Sequence, residues 1–153
     1  MSRYIDNIYT IQNNPFILTP LIIEFFTKSA SKPKNLLLAY LVLPLVLYET
    51  SQLSIGKSTT RSSISSFKRK KENLYGLPER VERYKDITNK CLQHAIDNNY
   101  IEINKDLSVE VLERKITSTK NLSKALKASS NLHKIFKDID IVAIYRLLGV
   151  KTL

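Results

Sequence analysis

Thirteen consecutive residues, Leu36 to Tyr48 (LLLAYLVLPLVLY), carry no charge and no polar side chain other than two tyrosines. Any fold of this chain has to hide them. A membrane-spanning helix needs about 20 apolar residues, and this run is shorter and contains Pro44. It reads as a helix that is apolar on nearly all sides, at the centre of a core. The expected helix runs from about Asn35 to Glu49. It should kink at Pro44, because proline inside a helix removes one backbone hydrogen bond and crowds the preceding turn.

The remaining segments arrange themselves around that helix. Residues 1–14 form an amphipathic lead-in, with Tyr4, Ile5, Ile8 and Ile11 at helical spacing. Asn13-Asn14-Pro15 is a helix start, an Asn cap followed by a first-turn proline. The helix it opens, about Phe16 to Ser29, should bury Ile17, Leu18, Leu21, Ile22, Phe25 and Phe26. Thr50 to Thr60 reads as a polar turn, and Arg61 to Lys71 as a short helix with Ile64 and Phe67 inward. A long helix from Pro78 to about Asn99 carries a stripe of Leu77, Val81, Tyr84, Ile87, Cys91, Leu92 and Ile96, three or four apart. Alternating runs on either side of Asn104-Lys105-Asp106 predict a β-hairpin over about 100–111. After a polar linker at 113–121, one or two helices span Leu122 to Phe136. A last one spans Ile139 to Leu148, with Gly149 in the C′ position.

With 153 residues the chain has the size of one domain. Three glycines and five prolines argue against a turn-rich sandwich or barrel. The expected fold class is mostly α (α+β), a winged-helix-like helical domain with one small β-hairpin. Its order of helix, short helix, long helix and hairpin is that of the winged helix-turn-helix. One domain should cover 1–153, with a helical core at about 16–99, the hairpin at about 100–111 and C-terminal helices at about 122–149.

No residue constellation points to catalysis. The single cysteine, Cys91, excludes an internal disulfide and a multi-cysteine metal site. It lies on the apolar stripe and reads as a small buried hydrophobe. His94 falls close to the same stripe and reads as a satisfied core or boundary residue, while His133 has no partner at metal-ligand spacing. Ile55-Gly56-Lys57-Ser58-Thr59 resembles the end of a phosphate-binding loop, but Ser51 stands where that loop needs glycine and an apolar helix precedes it in place of a strand. Glu79 and Glu82, interleaved with Arg80 and Arg83, read as a solvated, salt-bridged face. We therefore expect no enzyme activity, no catalytic, cofactor-binding or metal-ligating residues, and no cofactor.

Charge is the strongest chemical signal. Lys and Arg total 24 against 14 Asp and Glu, a formal net charge of +10, and such an excess attracts polyanions. Lys57, Arg61, Lys68, Arg69, Lys70, Lys71, Arg80 and Arg83 form the candidate nucleic-acid contact, with the hydroxyls of Ser58 to Ser66 nearby as neutral phosphate ligands. The same cluster also reads as a solvated or protein-facing surface, where cations suit helix C-termini. Both readings stand.

Several of these segments together resemble a known family. NNPFILTPLIIEFF, NLLLAYLVLPLVLYETSQLSI, RSSISSF, YGLPERVERYKDITNKCLQHAI with YIEI, and DIDIVAIYRLLGVK are similar to the middle component of bacterial three-component ABC-ATPase systems of the Lamassu, SMC-associated type. The LVLPLVL helix and Tyr145-Arg146-Leu147-Leu148-Gly149-Val150 are its most specific parts. The resemblance implies a non-catalytic adaptor that links an SMC-like ABC ATPase to an effector subunit, often a nuclease, in antiphage or anti-plasmid defence. It brings no catalytic motif to transfer.

The expectation is thus an adaptor subunit, cytoplasmic, with no membrane partner. Its partners would be the ATPase, the effector and, as a further contact, double-stranded DNA. Tyr4, Ile5, Ile8, Tyr145 and Leu148 are the candidate docking residues. The alternative is a free-standing winged-helix DNA-binding regulator, which would dimerise and bind a defined duplex.

Overall fold

The computed structural model describes residues 13–112 and 120–151. Among them are seven α-helices: α1 (Pro15–Lys28), α2 (Ala39–Val46), α3 (Glu49–Gly56), α4 (Ile64–Arg69), α5 (Leu77–Asp97), α6 (Ser123–Phe136) and α7 (Ile141–Leu147). One antiparallel pair, β1 (Ile101–Ile103) and β2 (Val109–Val111), joins them. The mostly helical class and the single hairpin match the expectation. The lead-in through residue 12 and linker residues 113–119 lie outside the described residues.

α1 and α2 form the centre. α1 packs on α6 and α5, and α2 packs on α5. Asn14 caps α1 by accepting from the Phe16 N–H at 2.9 Å, as its sequence predicts. Leu18, Leu21 and Phe25 are fully enclosed, and so are Leu41, Val42, Leu43, Leu45 and Val46 of the apolar run. Ile17 is only half-buried. Among the described residues no single helix is long and apolar enough to cross a membrane. The one apolar pair, Asn35–Val46 with Glu49–Gly56, is bent by 109°.

That bend corrects the sequence expectation. The helix does not run on to Glu49 with a kink at Pro44. It begins as a 3-10 turn at Asn35–Leu38, takes Pro44 into α2, and stops at Val46. Residues expected as a polar turn then form α3. A helix end leaves its last carbonyls without partners, and here each finds a donor, three of them side chains from beyond the helix. The Leu43 carbonyl accepts from the Leu47 N–H at 3.0 Å. Pro44 accepts from Arg80 Nε at 3.0 Å, Leu45 from Ser51 Oγ at 2.5 Å, and Val46 from Gln52 Nε2 at 2.9 Å. The corner is therefore built by the polar residues of α3 together with one arginine from α5.

The hairpin pairs Ile101 with Val111, Glu102 with Glu110 and Ile103 with Val109. It does not project as a wing. The Lys34 N–H donates to the Asp106 carbonyl at 2.8 Å and the Leu36 N–H to Leu107 at 3.0 Å. The Val109 N–H donates to the buried Asn35 Oδ1 at 2.9 Å. These bonds clamp the turn of the hairpin to the connector before α2.

α7 closes the described chain with a Schellman cap. The Val150 N–H reaches the Tyr145 carbonyl at 3.0 Å and the Gly149 N–H reaches Arg146 at 3.1 Å. Gly149 adopts φ +79, the left-handed conformation that favours glycine.

Candidate functional site

Residues 50–71, with Lys57, Arg61, Lys68, Arg69, Lys70 and Lys71, and residues 120–137, with the whole of α6, hold no acidic residue. The fold brings them together. α6 packs along α3, and its polar side chains follow the turn that leaves α3. Asn131 Nδ2 donates to the Gly56 carbonyl at 3.1 Å. Lys134 Nζ donates to Ser58 at 3.5 Å, and Lys137 Nζ to the Thr60 carbonyl. The Lys127 chain passes Gly56 closely enough that a Cβ there would meet its Cδ at 4.0 Å.

Lys57 and Arg61 of this turn are exposed, as are Lys124 and Lys127 of α6. Together with Lys134 and Lys137 they make a face of six cations. The only ion pair among the described residues is Lys90 to Asp86, at 3.3 Å on α5, so the face carries no internal neutralisation. Lys124, Lys127, Asn131 and Lys134 recur at helical spacing on one side of α6. That spacing is present in the sequence, but the lysines stand singly and form no run of charge.

The other predicted contacts divide. Arg69, Lys70 and Lys71 are exposed and Lys68 is half-buried, on and just after α4. This helix is held by a reciprocal cap between Ser63 and Ser66. Arg83 is exposed but sits on α5, a different element. Arg80 is a correction, because it is not a surface cation. It is 7% exposed, and besides Pro44 it donates to the carbonyls of Tyr75 and, at 3.3 Å, Asn73. Its guanidinium lies 3.8 Å from the centre of the Tyr48 ring. Burial pushes its pKa down, yet an arginine stays charged in proteins; three carbonyls and an aromatic face take the place of a carboxylate. The expected salt-bridged face of α5 also changes. With Arg80 turned inward, Glu79, Glu82 and Arg83 make no ion pair.

Two docking candidates at the C-terminal end are likewise used internally. Leu148 is 2% exposed. Tyr145 is half-buried, and its hydroxyl donates to the Leu37 carbonyl. Tyr4, Ile5 and Ile8 lie outside the described residues. Exposed apolar side chains occur elsewhere, at Phe16 and Val142, each 70% exposed.

The residues with reactive chemistry are dispersed. Cys91 is buried and its thiol pKa is pushed up to about 11, chiefly by desolvation. His94 packs edge-on against Phe16, ring centres 4.6 Å apart. His133 lines a cleft of about 830 Å³ between the end of α1 and residues 137–141. Burial lowers its pKa, and Lys134, Lys28 and Lys137 nearby lower it further. No group of three or more His, Cys, Asp or Glu that could hold a metal occurs among the described residues. Gly56, the glycine of the loop-like Ile55-Gly56-Lys57-Ser58-Thr59, is the last residue of α3, with a helix before it where a nucleotide loop has a strand.

The described residues form a small, mostly helical fold with a clamped hairpin and an unneutralised basic face. Over residues 2–152 the chain matches the family described as ABC-three component (ABC-3C) system Middle Component 3. The chain belongs to that family. No curated protein and no solved structure matches it.

Proposed function

We propose that this chain is the non-catalytic adaptor of a three-component ABC system, docking on an SMC-like ATPase and coupling it to an effector such as a nuclease. The observation that carries the reading is the family match across residues 2–152. A middle component implies other components of an ABC system as its partners. The Lamassu type, a role in antiphage or anti-plasmid defence and a cytoplasmic location complete the proposal. DNA sensed by the ATPase falls within it.

Two observations weigh against the free-standing winged-helix regulator. A recognition helix offers its outer face to the negatively charged major groove, yet α5 exposes Glu79, Glu82, Asp86 and Asp97. The hairpin that would serve as the wing is tied to residues 34–36.

Co-purification of the tagged chain with the products of its neighbouring genes tests the proposal. Stoichiometric recovery of an SMC-like ATPase is the expected result. Recovery of the chain alone as a folded dimer that binds one duplex sequence selectively overturns it.

A further inference from the structure

We propose that the face built from α6 and the turn after α3 binds the phosphate backbone of double-stranded DNA without reading its sequence. This goes beyond the adaptor reading and is a property of the isolated chain. It also moves the nucleic-acid interface from the run at Lys68 to Lys71 onto a surface centred on α6.

Three features of the face point the same way. The first is sign. Lys57, Arg61, Lys124, Lys127, Lys134 and Lys137 are gathered with no acid in either contributing stretch, and none of them forms an ion pair. Seven of the fourteen acids (Glu79, Glu82, Asp86, Asp97, Glu102, Asp106 and Glu110) sit instead on α5 and the hairpin. An unneutralised cluster of this kind repels itself unless a polyanion covers it.

The second feature is length. The fourteen residues of α6 span about 21 Å at 1.5 Å per residue, a track and not a point site. Duplex DNA presents a charge about every 1.7 Å along its axis, so Lys124, Lys127 and Lys134, one turn and then two turns apart along α6, each come within reach of phosphates.

The third feature separates DNA from an acidic protein. Protein interfaces draw their affinity from buried aromatic and large apolar anchors. None of the exposed large hydrophobics lies in residues 57–71 or on α6. What accompanies the cations is hydroxyl: Ser58, Thr59, Thr60, Ser62, Ser63, Ser65 and Ser66. Cations with hydroxyls and no apolar anchor suit phosphate oxygens and leave base edges unread.

The test is fluorescence anisotropy of the full chain with a labelled 30-base-pair duplex, between 50 and 200 mM salt. Six phosphate contacts predict a log–log salt slope of about −5 and a loss of about a thousandfold in affinity across that range. Two unrelated duplex sequences should bind alike. Lys124→Glu with Lys127→Glu changes two exposed positions and should weaken binding at least tenfold, flattening the slope by about 2. Arg83→Glu with Lys105→Glu makes the same charge change away from the face and should cost less than threefold. Far-ultraviolet circular dichroism of both variants checks that they are folded.

Absence of binding at 50 mM salt overturns the proposal. So do equal losses in the two variants, which would reduce the effect to net charge, and displacement of the duplex by polyglutamate at equal charge concentration, which would mark an acidic protein as the occupant. The α6 variant should still recover its partners in co-purification. A variant that loses DNA and keeps its partners separates this inference from the adaptor reading.

Discussion

Replacing Arg80 tests the claim that this residue builds the α2–α3 corner and does not touch nucleic acid. Arg80→Ala removes donors from three backbone carbonyls. Tyr75 is 58% exposed, so water can replace the side chain at its carbonyl. Pro44 and Asn73 are buried, and their carbonyls would be left without that donor at about 1–2 kcal/mol each. Loss of the stacked contact on Tyr48 adds about 1 kcal/mol. The sum is about 3–5 kcal/mol, which for a chain of this size lowers the melting temperature by roughly 10–15 °C. Arg80→Lys keeps the charge but cannot present the planar fork that reaches three acceptors, so it should fall between. Arg83→Ala, three residues on and exposed, should stay within about 0.5 kcal/mol of the parent. Urea unfolding followed by circular dichroism gives all three values. The reasoning is refuted if Arg80→Ala unfolds like Arg83→Ala, or if it leaves stability intact and weakens DNA binding instead.

Other parts of the fold give further expectations. Gly149→Ala has open space for its Cβ but must hold φ +79, and should cost about 1 kcal/mol from backbone strain alone; the denaturation midpoint reads it. Cys91, buried and with its pKa at about 11, should react with a thiol reagent at pH 8 only as fast as the chain opens, and at once in denaturant. Fast labelling of the native chain would show that the α1–α5 contact is looser than described. For His133, burial holds the folded pKa below the unfolded value of about 6.5, so below that value the unfolded chain binds more protons. The stability that results is present above about pH 6.5 and lost as pH falls through the folded pKa. His133→Gln should flatten the stability profile between pH 7 and 5 relative to the parent.

The periodic elements were legible because their own side chains decide them. α1 announces itself by Asn14-Pro15 and its apolar spacing, α5 by the Leu77 to Leu92 stripe, and the hairpin by alternation around Asn104-Lys105-Asp106. α3 was not legible for the converse reason. Glu49 to Gly56 has only Leu53 and Ile55 as large apolar side chains, and of these only Ile55 is buried. Its helicity follows from packing on α6 and from Ser51 and Gln52 meeting the carbonyls of α2, contacts that exist only in the folded chain. The kink expected at Pro44 fell two residues late. α2 accommodates the proline, and the chain turns where Ser51, Gln52 and Arg80 can meet the carbonyls it frees.

The basic residues divide by the same logic of helical position. Arg80 and Arg83 look alike in a count of charges, yet Arg80 lies three residues after Leu77 and four before Tyr84, on the apolar stripe. Arg83 lies off that stripe. Spacing puts Arg80 on the inward side, and the partners it finds there, three carbonyls and the Tyr48 ring, come from the tertiary fold. On α6 the same rule works in reverse. Ala125, Ala128, Leu132 and Ile135 define the inward side, which leaves Lys124, Lys127 and Lys134 to the outside. The run Lys68 to Lys71 adjoins in sequence, but it crosses the end of α4 at Arg69, so its members share no common helix face. Single lysines a turn apart share one direction. For a partner that presents charge along a line, the spaced lysines form the better-matched surface.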